Sequence, residues 1–221
     1  MTTSTSVGRI SARTTTGEGF ALVRQLGAAE KWLAVLVTQR PSSREPADPS
    51  VSLVNAGVLP HPVTGEPVVA FVARGGTAKL ANLRARRRAS LVFRAGWEWV
   101  AVHGSVELAG PDDPLPGVTT DTASSPAEGG ERLRVLLRDV YAAAGGSHHD
   151  LAAYDRAMAV ERRTVVLLTP DRFATNATTG SPVTGWGSTP AFTRDTEASA
   201  GSREDGRWVT NTANHFSAAP S

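Results

Sequence analysis

Apolar residues change period several times along the chain, and each change marks an element. Phe20, Val23, Leu26 and Gly27 recur at helical spacing, which predicts a short helix over about Glu18 to Glu30. Trp32 to Gln39 (WLAVLVTQ) is a near-continuous apolar run and reads as a buried strand. After the proline-rich, polar stretch Arg40–Pro49, Val51/Leu53 and Ser52/Val54 alternate through a second strand ending near Gly57. A turn over Leu59–Glu66 leads to a third strand, Val68–Ala73. Thr77 then caps a helix to about Arg84, with Leu80 and Leu83 facing inward. Ala89–Arg94 and Trp97–Leu108 follow as strands, with Gly104 placed where a bulge would bend the second of them. Pro111–Gly130 reads as a loop. Leu133, Leu136, Leu137, Val140 and Tyr141 form a helical stripe over Glu131–Ala144, and a Gly145-Gly146 break precedes a second helix, about Asp150–Val160. Val165–Leu168 is the sixth strand.

Among the first five strands only the connection over Thr77–Arg84 holds a helix, and the connections are otherwise turns too short for parallel crossovers. The pattern therefore predicts a mainly β protein with flanking helices (α+β), built as a small six-stranded antiparallel barrel. Three regions result: a flexible N-terminal arm over 1–16, the barrel domain over 17–175, and a Thr/Ser/Gly/Pro-rich tail over 176–221 with isolated Trp186, Trp208 and Phe216.

Composition narrows the chemistry. The 221 residues contain no cysteine, which excludes disulfides, thiolate nucleophiles and cysteine-based metal sites. No apolar run approaches a membrane span of roughly 20 residues, and the Thr/Ser-rich start resembles no secretory signal, so the expected compartment is the cytoplasm. Net charge is only +2, although Lys and Arg total 23. The run Arg84-Ala85-Arg86-Arg87-Arg88 suits either a nucleic-acid contact or a solvated turn. It lacks the interleaved aromatics of a nucleic-acid surface, so no nucleic-acid partner is expected.

Lysine is scarce: Lys31 and Lys79 are the only two. Lys79 falls in Gly75-Gly76-Thr77-Ala78-Lys79 at a strand-to-helix junction. There glycines allow close backbone approach, the helix start offers unpaired N–H groups, and a compact ammonium suits a phosphate. A plain helix start accounts for the same residues. His148-His149-Asp150 suits a metal or haem ligand group, or a helix entry capped by Asp150. No second ligand set at metal spacing accompanies it, and no metal site is expected. His61, between two prolines, reads as a surface turn residue. His103 shares a strand face with Trp97, Trp99 and Ala101, where it either lines a pocket or is a satisfied barrel histidine. No hydrolase elbow, zinc-protease helix or Walker loop is present, so no side chain is assigned a catalytic role. The reading that remains is a binding site: Lys79, Thr77 and Asn82 around an anion, with Ser52–Asn55 and Trp97/Trp99 on nearby strands.

Four segments resemble the pyridoxamine 5′-phosphate oxidase-like split β-barrel family. They are Val35–Arg40 followed by Pro49–Val54; Thr77-Ala78-Lys79-Leu80-Ala81-Asn82-Leu83-Arg84; Arg88–Phe93; and Val100–Leu108. Within that family Ala142–Arg163, with Tyr154-Asp155-Arg156 and Glu161-Arg162-Arg163, is similar to the branch that uses the deazaflavin coenzyme F-420. The resemblance implies a split barrel in which Lys79 and Thr77 hold the cofactor phosphate and Asn82 supports their loop. Ser52, Val54 and Asn55 would flank the ring, partly through backbone groups, and Trp99 would stand where flavin-binding members commonly place glutamine. Ala78 replaces the arginine usual in flavin enzymes, which weakens the FMN alternative. The implied activity is hydride transfer between F-420 and a small unsaturated or carbonyl substrate in a homodimer, with His103 or Tyr154 as conceivable proton donors. A non-catalytic flavin-, deazaflavin- or haem-binding protein is the remaining alternative.

Overall fold

A computed structural model describes residues 14–41, 48–119 and 125–177. The element order is α1 (Thr16–Ala29), β1 (Leu33–Gln39), β2 (Pro49–Pro60), β3 (Pro67–Ala73), α2 (Ala78–Ala85), β4 (Arg88–Ala95), β5 (Glu98–Ala109), α3 (Pro126–Ala143), α4 (Leu151–Val160) and β6 (Thr164–Thr175). The six strands close into an antiparallel barrel in the order β1-β2-β3-β6-β5-β4, with β4 returning to pair β1. The expected α+β split-barrel class is the one observed. Residues 1–13 and 178–221, which carry most of the expected arm and tail and Trp186, Trp208 and Phe216, lie outside the described residues.

Period-2 alternation sorts each strand into an inner and an outer face. Leu36, Val54, Phe71, Leu91, Val102 and Val166 point inward and make one core, which α1 closes with Phe20, Val23 and Leu26 and α2 plugs with Leu80 and Leu83. The opposite faces of β3 and β6 (Val68, Ala70, Val165, Leu167) form a second core beneath α3, which contributes Leu136, Leu137 and Val140. At Gly57 of β2 the end of α3 comes so close that a methyl group would collide with the Ala143 carbonyl. The absence of a side chain there lets α3 lie on the wall.

Several boundaries differ from the sequence reading. α1 starts at Thr16, because Thr15 and Glu18 form a capping box, so the expected arm ends earlier. α3 starts at Pro126, inside the expected loop, because Ser125 and Glu128 form a second such box. β6 runs on to Thr175, past Pro170, where its ladder with β5 shifts register between His103 and Gly104. The irregularity falls at Gly104, as expected, but the extra residue is Asp171 of β6 instead of a residue of β5; at Gly104 a side chain would strike the Thr169 carbonyl. Asn176, counted with the tail, is instead fastened to the β4–β5 turn. Its Oδ1 accepts from the Trp99 N–H (2.9 Å) and its Nδ2 donates to the Trp97 carbonyl (2.8 Å).

His61 is a correction. It is buried rather than on the surface. Its Nδ1 accepts from the Val63 and Thr64 N–H groups (3.2 and 3.3 Å), so Nε2 carries the proton toward Glu107 Oε2 at 3.1 Å. The histidine thus organises the turn between β2 and β3. The arginine run is largely spoken for. Arg84 makes a two-point pair with Asp113 (2.8 and 2.7 Å), Arg86 donates to Gln39 Oε1, and Arg88 pairs with Asp171.

Between α1 and β1, Lys31 and Trp32 both take left-handed backbone angles, φ 54° and 60°. Such angles are uncommon for side chains of this size. The turn is held by Asn55, whose Nδ2 donates to the Lys31 carbonyl (3.0 Å), and it drives the Trp32 indole against Gly27 of α1 and Gly145 after α3.

Candidate functional site: a cationic groove at the start of α2

The β2–β3 ladder has its last pair at Ala56–Phe71. Beyond it β2 continues back through Asn55–Ser52 while β3 runs forward through the Arg74–Thr77 turn into α2, so the two segments border one gap. The turn is shaped by its glycines. Gly76 has φ +73°, and Gly75 packs so tightly on the chain between α4 and β6 that a methyl group would meet the Arg162 carbonyl at 2.8 Å. The Gly75 N–H also donates to the Glu161 carbonyl (3.0 Å). The α2 start is thereby fixed against the residues that lead into β6.

Thr77 is the N-cap of α2, but its hydroxyl donates to the Arg74 carbonyl (2.9 Å) and makes no capping bond to the helix. The first N–H groups of α2 therefore keep their capacity for an external acceptor. Lys79 is half-buried in the first turn, and burial, followed by the nearby charge of Arg163, holds its ammonium below the usual lysine range. No carboxylate pairs with Lys79 among the described residues. Arg163, just before β6, pairs with Glu161 through Nε (2.6 Å) and Nη2 (2.5 Å). Two cations thus lie near each other and only Arg163 has a carboxylate partner among the described residues, an arrangement an anionic ligand would stabilise.

The other expected site residues fall in different places. Asn82 is buried, and its Nδ2 donates to Thr38 Oγ1 (2.9 Å), so it fixes α2 to β1 instead of reaching a ligand. Val54 lies in the barrel core, and Ser52 shares its inward side, paired with the core residue Leu36. Of that segment, only the Asn55 side chain faces outward beside the gap, together with the exposed Val51 and Leu53. Trp99 requires a correction. β5 lies three strands from β2 in either direction around the barrel, about 14 Å along the wall at ordinary strand spacing. Trp97 and Trp99 are therefore not on strands near Ser52–Asn55 of the same chain.

His103, also on β5, contacts Ser90 Oγ through Nδ1 at 2.7 Å, and burial, then Arg172, lowers its pKa. Asp150 caps α4 as its sequence position suggested, accepting from the Ala153 N–H (2.9 Å), while His148 and His149 stack on each other. No group of three potential metal ligands exists among the described residues, and no described helix is long and apolar enough to cross a membrane.

Sequence reading missed Arg163 as a partner of Lys79. The two are 84 positions apart, and only the docking of Gly75 on the Glu161–Arg162 segment brings them together. It also missed the cleft beside them, which begins at Asn55 and Val72 and runs under α4.

The fold is a six-stranded α+β split barrel, with Lys79 and Arg163 near each other at the strand-to-helix junction. No known family model matches the chain, and no curated protein sequence does either. Solved structures similar in fold include a heme-binding protein from Mycobacterium smegmatis (18% identity, 77% of this chain and 57% of that one, TM-score 0.44). A pyridoxamine 5′-phosphate oxidase-related, FMN-binding protein from Nostoc punctiforme is similar at 14% identity (73% and 84% covered, TM-score 0.40). An F420 reductase is similar at 16% identity (65% and 89% covered, TM-score 0.39). The chain spans little more than half of some neighbours' own length: 57% of the mycobacterial protein and 59% of an Agrobacterium tumefaciens protein of unknown function.

Proposed function

We propose that the protein is an oxidoreductase that binds the deazaflavin coenzyme F-420 and transfers hydride to a small unsaturated or carbonyl substrate. The observation that carries this reading is Lys79, half-buried in the first turn of α2, near Arg163 and without a carboxylate partner among the described residues. The residues fit the group. Lys79, the Thr77 hydroxyl oxygen and the free N–H groups of α2 would hold the cofactor phosphate. The Asn82–Thr38 bond keeps that helix start in place, and the Ser52–Val54 backbone with Asn55 would flank the ring. When bound, a reduced deazaflavin supplies the hydride from its own ring carbon and leaves oxidised, while the substrate double bond gains the hydride and one proton. The chain's own task is then to bind, orient and exclude water.

A homodimer belongs to this proposal. Leu33, Val51 and Leu53 are exposed side by side on β1 and β2, with Leu33 opposite Asn55 and Val51 opposite Val37. A second copy packed on that face would cover them. Ala78, beside Lys79, disfavours the FMN alternative, since it replaces the arginine that the resemblance leads one to expect at that position.

Fluorescence titration of the purified protein with oxidised and reduced F-420 tests the proposal. Micromolar binding that weakens at least tenfold in Lys79→Ala is expected. No binding, or equal binding by Lys79→Ala, defeats it. Yellow protein carrying a flavin absorbance band would move the assignment to FMN, and a Soret band on haem titration that vanishes in His149→Ala would move it to haem.

A further inference from the structure

The cleft that begins at Asn55 runs between the outer wall of the barrel and α4, and encloses about 420 Å³, inside the roughly 300–1,000 Å³ range of small-ligand sites. One part of its lining is apolar, from Val72 of β3, Val140 and Tyr141 of α3, and Tyr154 and Met158 of α4. The two tyrosine rings lie 4.9 Å apart at 32°. Both phenols spend their hydrogens on backbone carbonyls, Tyr154 on Leu137 (3.0 Å) and Tyr141 on Ser147 (3.2 Å), so toward a ligand they present ring surface more than donors. The charged residues lining the cleft are Lys31 and Arg163. No carboxylate lines the cleft among the described residues, and Glu161, the partner of Arg163, is not part of its lining. The floor is made by Gly145 and Gly146. Gly145 is in the left-handed region at φ +74°, and at both positions a side chain would strike a neighbouring aromatic ring.

The geometry points to a second ligand site, for an organic anion with a flat apolar body: its charged group between Lys31 and Arg163, its body against Val72, Tyr141 and Met158. Arg163 keeps Glu161 as its partner, so a purely apolar ligand would leave Lys31 alone unanswered, and a bare inorganic anion would leave the walls unfilled. In the proposed redox reaction such an anion would be the acceptor, and that role alone rests on the F-420 reading. The site itself does not.

Calorimetric titration without any cofactor separates the two. The probe is 2-naphthoate, compared with the neutral 2-naphthalenemethanol. We expect naphthoate to bind at least fivefold tighter, with the advantage fading at high salt while alcohol binding holds. Lys31→Asn, a substitution compatible with the left-handed turn, should weaken naphthoate about threefold and leave the alcohol unchanged. Met158→Trp, which fills the cleft without touching a charge, should abolish both. Lys79→Ala should bind naphthoate as well as the parent does, even if it loses F-420. Binding of naphthoate no tighter than the alcohol overturns the proposal, as does indifference to Met158→Trp or no binding by protein whose thermal unfolding is intact.

Discussion

The outer wall of the barrel is treated in two ways. On β3 and β6 the outward residues Val68, Ala70, Val165 and Leu167 are buried under α3 by Leu136, Leu137 and Val140. On β1 and β2 the outward residues Leu33, Val51 and Leu53 are equally apolar, yet 44%, 64% and 59% exposed. The alternation along these strands is therefore not the inside-apolar, outside-polar pattern of a wall facing water. Both faces of the strands are written for burial, and the described chain supplies a cover for only one. Patches of this kind on a folded chain mark interaction sites, which is why the bare side bears on assembly and the covered side on stability.

The largest expected effect lies inside the barrel, beneath both walls. Phe71→Ala, at a fully buried position, should cost about 3–5 kcal/mol of unfolding free energy, read from urea denaturation. Leu137→Ala on the covered wall should cost about 2–4 kcal/mol, because Leu137 is nearly buried between α3 and the sheet. A loss below about 0.5 kcal/mol, the range of ordinary surface positions, would mean that α3 covers nothing of consequence.

Asp113 ties the covered side to α2, accepting two hydrogen bonds from Arg84 and one from Thr164 (3.4 Å). The Arg84 hydrogen bonds hold its carboxyl below the usual range. A carboxylate whose pKa is depressed on folding contributes stability above its unfolded value, and that contribution is lost as pH falls through the folded one. Asp113→Asn should thus cost about 1–3 kcal/mol near neutrality, the size of a charge-assisted bond. The gap from the parent should shrink progressively below about pH 4, the unfolded aspartate value. Melting curves at pH 7 and pH 3 make the comparison, and a gap that widens in acid would contradict the assignment.

The smallest effect belongs to the bare wall. In dilute solution Leu53→Ser should change stability by no more than about 0.5 kcal/mol. With rising protein concentration the parent should gain stability over the variant, since association stabilises only what associates. Sedimentation equilibrium should show Leu53→Ser shifted toward the single chain. Equal behaviour at all concentrations would end the case for a second copy on this face.

How far the sequence led can be traced residue by residue. Periodicity located all six strands, and Gly104 announced the place of the bulge, because these are local features that repeat within a few positions. Pro170, Asp171 and Arg172 hid the second half of β6, since a proline and two charges interrupt the alternation that marks a strand. The Ser125–Glu128 capping box lay unnoticed among prolines and glycines, and His61 looked exposed because its partner Glu107 is 46 positions away. Lys79 and Thr77 stood out by residue type and position. Arg163 and the cleft under α4 did not, because closing a barrel and docking a helix create neighbours that no window of sequence contains. Trp99 was set beside the ring by the resemblance and by an assumed closeness of strands, and the order of strands around a closed barrel, which puts β5 three strands from β2, is written in no local window.

Trp32 is wedged between Gly27 and Gly145, with no space for a methyl group at either. These three positions therefore constitute one heritable unit: an alanine at 27 or 145 is admissible only in a relative that has surrendered the indole. Aligned descendants should show the trio changing in concert. Because Gly145 is also floor to the cleft, a lineage that relinquished the trio would be expected to have altered what it binds there.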